Sequence, residues 1–139
     1  MVTAMFNSSR TESWSKWALL PLRLIIGFGF MAHGYAKLSR GPAGFANILQ
    51  VLGVPAPGLT AWVTALIEFF GGLAIMAGAF VPIVNVPLLI IMLVAMFTVH
   101  LPFGFSSITL KGMNGNVPQF ATPGYEVNLL YIAGLLTLA

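Results

Sequence analysis

Arg23, His33, Lys37, Glu68, His100 and Glu126 are the residues of this chain best placed to move a proton or hold an anion, and they have little polar company. Only 6% of the 139 residues are charged and 58% are hydrophobic, with a mean hydropathy of +0.95. A charge at the centre of a bilayer costs roughly 2.5–3.5 kcal/mol on insertion scales, so ionisable groups there face a protein interior and mark function.

Spacing divides these residues into two sets. Arg23, Gly27, Phe30, Gly34 and Lys37 fall within about 80° of arc on a helix turning 100° per residue. A stripe that joins two cations to two glycines is an inward face, because glycine lets helices approach closely in a membrane. Ala61, Ala65, Glu68, Gly72 and Ala79 form a second stripe with one acid. With the ends of the two helices matched at Lys37 and Leu59, Arg23 lies ~20 Å and Glu68 ~13 Å below them, so an Arg23–Glu68 ion pair is expected. Such a pair could merely fix helix register, or it could be a proton or ligand site; Glu68 could also stand alone as a protonated carboxyl.

The second set comprises His33, Lys37, His100 and Glu126, all near helix ends. Glu126 heads a stripe with Leu130, Ala133 and Thr137 and could point inward. A polar cluster of this kind suits a quinone head group or a small oxyanion. Lys37 and the histidines would donate hydrogen bonds, and His33 or Glu126 would take a proton. The competing reading is that each residue snorkels to water at the interface. A b-type haem held between His33 and His100 is a further option. Met92 and Met96, one turn apart, read as packing residues, and no metal site is expected.

Four apolar runs would position these groups: about Trp17–Leu38, Leu59–Phe80, Pro82–Leu101 and a shorter one from near Tyr125 to Ala139. A spanning helix needs about 20 apolar residues. The expected fold is therefore an all-α membrane protein, a four-transmembrane-helix up-and-down bundle with both long connections on one face. The domain would cover residues 17–139, preceded by a polar segment at 1–16, with the fourth helix incomplete at the C-terminus. Within the first long connection, Phe45, Ile48, Leu49 and Leu52 follow the i, i+3, i+4, i+7 pattern of a short interfacial helix. The second, 102–124, carries glycines, prolines, Phe103, Phe105 and Phe120 and reads as a partly buried lid.

Zero cysteines exclude an intrinsic dithiol centre, a cysteine-ligated iron–sulfur cluster and a covalently attached c-type haem. Six Lys/Arg against three acids give a formal charge of +3. The basic residues form no patch, so lipid headgroups rather than nucleic acid are the expected partners.

The segments Leu22-Arg23-Leu24, Gly27, His33-Gly34-Tyr35-Ala36-Lys37-Leu38, Phe45, Gly53-Val54-Pro55, Ala65-Leu66-Ile67-Glu68-Phe69-Phe70-Gly71-Gly72, Gly78 and Gly124-Tyr125-Glu126 together resemble the DoxX family of small four-helix membrane proteins. The resemblance covers about Leu20 to the end. It implies an integral protein of the prokaryotic inner (cytoplasmic) membrane, akin to DoxD-type thiosulfate:quinone oxidoreductase subunits. The expected function is a subunit associated with a quinone-linked redox complex, acting on a small sulfur oxyanion. Here a quinone would be the cofactor and other membrane subunits the partners. The alternative is a non-catalytic scaffold or assembly subunit of a larger respiratory or photosynthetic complex. A transporter is disfavoured, since four short helices enclose little pathway.

Overall fold

The computed structural model describes residues 17–139; the polar segment 1–16 lies outside the described residues. These residues form five α-helices and one hairpin: α1 (Leu20–Arg40), α2 (Pro42–Val51), α3 (Pro57–Ala77), α4 (Val81–Ala95), β1 (Leu110–Asn114), β2 (Val117–Phe120) and α5 (Glu126–Leu138). Helices α1, α3 and α4 each carry proline in the first turn, where its missing N–H leaves no bond unmade. Gly78, at φ +71°, ends α3, and its N–H and that of Ala79 bond back to the carbonyls of Ile75 and Ala74. Phe80, also left-handed at φ +53°, completes a turn of three residues into α4.

Four of the helices close into a ring, α1 against α3, α3 against α4, α4 against α5 and α5 against α1. The α1–α3 seam is backbone on backbone. A methyl group at Gly27 would sit 2.6 Å from the Gly72 carbonyl oxygen, and one at Gly34 would collide with the backbone of Ala65 and Phe69. As position rises along α1 it falls along α3, so the pair is antiparallel. Tyr131 of α5 lies across Gly29 and meets Phe30 edge-on at 5.1 Å. Ile26, Phe30, Ile75, Val81, Leu88, Leu135 and Leu138 form the apolar core.

Among the described residues, two helices are long and apolar enough to cross a membrane, Pro57–Ala77 and the continuous helical stretch Val81–Phe103. Helix α1 matches α3 at 21 residues but carries Arg23, Lys37 and Arg40, and α5 has 13 residues. Of the expected four-transmembrane-helix bundle, whose fourth run is already short in the sequence, the structure gives the coarser form: a four-helix ring with two helices of clear spanning character among the described residues.

Beyond Ala95 the helix widens into a π-turn, Met96–His100, with the Leu101 N–H bonded to the Met96 carbonyl. Pro102 follows; its ring would otherwise press on the Thr98 carbonyl, and a wider turn relieves that clash. The second long connection, expected as a partly buried lid, is exposed along nearly all of its length. It contains an antiparallel hairpin, which corrects the all-α expectation.

Candidate functional site

Glu68 is 2% exposed on the inner face of α3, and its carboxylate receives a hydrogen bond from Nζ of Lys37. The expected Arg23–Glu68 pair is not formed. The glycine seam, not the helix ends, sets the register. Gly34 stands level with the Ala65–Phe69 turn, while Arg23 stands level with Gly78. From Glu68 to Gly78 is ~15 Å of rise, beyond an arginine's reach, whereas Lys37 lies only one turn past Gly34. Among the described residues, the Arg23 Nε is buried without a hydrogen-bond partner, and its guanidinium lies at the C-terminal end of α3, where the helix dipole favours a cation.

Helix α2 covers this pair. Phe45 places its ring 4.6 Å from Lys37 Nζ, a cation–π contact, and Leu49 is buried beneath the same helix. Ile48, expected on the inner face with them, is 53% exposed. Among the described residues, the site is thus a buried carboxylate, one ammonium and an aromatic roof. Such a group can shuttle a proton between Glu68 and Lys37, but the two charges already satisfy each other.

The other candidates do not join it. His33 is exposed on the outer side of α1. His100 Nδ1 lies 2.8 Å from the Pro123 carbonyl oxygen, tying the end of the π-turn to the segment before α5. Glu126 accepts a hydrogen bond at 3.0 Å from the Ser107 N–H, and its own N–H donates to the Phe105 carbonyl. Its stripe also turns the other way: Leu130, Ala133 and Thr137 are exposed, and the inner face of α5 is Asn128, Tyr131, Leu135 and Leu138. An acid in the first turn already belongs there, since the helix dipole favours it.

Sequence reasoning passed over two buried amides. Asn85, 2% exposed, donates from Nδ2 to the Leu135 carbonyl at 2.8 Å, joining α4 to α5. Asn128, 4% exposed, reaches back from α5 to the Met92 carbonyl at 3.5 Å. An asparagine inside an apolar run is itself the signal, because a polar side chain in a membrane helix seeks a partner across a helix interface.

Two open surface grooves, one lined by Asn47, Ile48, Val51 and Leu52 and one by Pro21, Leu24, Ile25, Phe28 and Met76, both lie away from the Lys37–Glu68 pair. No curated protein and no solved structure matched the chain. The DoxX family model matches residues 18–101, a stretch holding the glycine seam, the Lys37–Glu68 pair and its Phe45 roof. With more than half its length matched, this chain belongs to the DoxX family.

Proposed function

We propose that this chain is an integral membrane subunit of a redox-linked complex in a prokaryotic inner membrane, crossing the bilayer with four helices and supplying scaffold rather than electron carriers. The dispersal of its ionisable residues carries this reading. Lys37 and Glu68 neutralise each other, His100 and Glu126 are engaged by loop backbone, and His33 faces outward. What remains is an apolar exterior, with Phe28, Trp62, Phe70, Ile83 and Ile90 each more than half exposed, over small-residue seams. Those are the features of a bundle that packs among lipids and other helices.

A second reading, direct handling of a quinone or a small sulfur oxyanion, is favoured by one feature. Lys37 keeps 21% of its side chain exposed under Phe45, a charged donor at the bundle mouth. The residues fit a quinone head group poorly, however. Two carbonyl oxygens need donors, and of the six candidates only Lys37 stands there with a proton to offer. No reaction step through such a cofactor follows from this geometry.

Native purification of the full chain in a gentle detergent, followed by mass spectrometry, tests the choice. The expected outcome is a reproducible set of co-purifying membrane subunits in fixed ratio. A stable lone chain that reduces a quinone analogue with electrons from a sulfur oxyanion would overturn the scaffold reading in favour of the second.

A further inference from the structure

The hairpin β1–β2 is exposed along its length, yet its residues are not those of a solvated loop. Leu110 pairs with Phe120 and Met113 with Pro118, and residues directly opposite one another share a face of the ladder. Leu110 and Met113 are three apart, so a regular strand would place them on opposite faces. The irregularity between Leu110 and Gly112 inserts one residue, Lys111, and brings both to the same side. The hairpin thereby acquires one face of Leu110, Met113, Pro118 and Phe120, and a second of Gly112, Asn114, Val117 and Gln119. On the first face, Leu110, Met113 and Phe120 are 57–60% exposed. A two-stranded hairpin is marginal in water without something to cover such a face.

We infer that this hairpin is a membrane-docking element, its apolar face lying on the headgroup–acyl boundary of the bilayer beside the bundle. This rests on the reading of the chain as an integral membrane protein. Three observations favour lipid over a protein partner. Lys111 is the sole charge between Glu68 and Glu126, so the loop offers a cation to lipid phosphates and no acid to repel them. Phe97, Leu101, Phe103 and Phe105, each about half exposed, extend the outward apolar surface of α4 toward the foot of the hairpin. The strands are only five and four residues long, and one contains Pro118, so the hairpin is a poor template for pairing with another chain.

The base is fixed to the bundle, which sets the hairpin's height. The N–H groups of Gly124, Tyr125 and Glu126 bond to the carbonyls of Ser106, Gly104 and Phe105. The base therefore lies level with the start of α5, at the bundle end where a membrane boundary falls.

The chain has no cysteine, so single spin labels can be placed without background. Full-length Met113→Cys, Phe120→Cys, Asn114→Cys and Ile90→Cys would each be labelled and reconstituted in vesicles of phosphatidylethanolamine and phosphatidylglycerol. The readout is collision with oxygen, which partitions into lipid, against a water-soluble nickel complex. Labels at 113 and 120 are expected to favour oxygen several-fold more than the label at 114. Preference for nickel at 113 and 120 overturns the proposal, and so does shielding from both reagents, the signature of a covering protein. Ile90, 55% exposed on α4, separates the two readings. If its label also meets nickel, the membrane reading has failed and the docking proposal falls with it; if only the hairpin labels do, docking alone has failed.

Discussion

Glu68 lies on the buried face of α3, with the small residues Ala65, Gly71 and Gly72 buried near it on the same helix. Its one charged partner among the described residues is Lys37, and a buried acid in such a place depends heavily on that partner. Removing one member of a buried ion pair costs ~3–5 kcal/mol, whereas replacing both with apolar residues of similar volume is close to neutral. Glu68→Leu alone and Lys37→Met alone should therefore each lower the stability of the folded chain by that order, and the double replacement should restore most of it. Reversible unfolding in bicelles would measure this cycle. Losses that simply add in the double variant would mean that the two charges are not coupled and that Phe45 alone holds Lys37 in place.

At the scale of elements, the loop end of the bundle is organised by α5. Glu126 holds the Ser107 N–H, and the Ser107 hydroxyl accepts in turn from the Val127 N–H at 3.3 Å. Glu126→Ala should release this clasp, so that the amides of Ser107 and Val127 exchange hydrogen faster, while the Asn85–Leu135 bond at the other end holds. The loss of an acid from the first helical turn adds ~0.3–1 kcal/mol of destabilisation. Uniform protection before and after the change would show that the hairpin base is held by backbone bonds alone. The same elements show what was legible in the sequence. The inner stripes of α1 and α3 were readable because the 3.6-residue period places Gly27, Phe30 and Gly34, and Ala61, Ala65 and Glu68, on single faces. The register between them was not, because it depends on which glycine notch meets which backbone, and matching helix ends misses by about five residues, ~7 Å. The hairpin was obscured by its own bulge. Leu110, Met113, Val117 and Phe120 have no period of two, although Gly115-Asn116 between the strands is a two-residue hairpin turn. The candidate site suffered in the same way: proximity to helix ends grouped His33, His100 and Glu126 with Lys37, but rotation about each axis sent them to different neighbours.

For the molecule as a whole, the joints of the ring are unequal in kind. Helices α4 and α5 are joined by side-chain amides reaching for carbonyls, Asn85 to Leu135 and Asn128 to Met92, and α5 meets α1 through a tyrosine ring. Helices α1 and α3 instead share a glycine seam that brings their backbones into direct approach at Gly27, Gly34 and Gly72. That seam lies wholly within the first 77 residues, which gives the chain an order of assembly during synthesis. The first half can lock together while the second is still being made, and the last helix arrives to a groove already shaped by Gly29. Two pieces divided at the Gly78–Phe80 turn and co-expressed should therefore find each other and co-purify. Pieces divided between α2 and α3 separate the two sides of the seam and should recover far less. Equal recovery from both cuts would show that the bundle closes only once every helix is present.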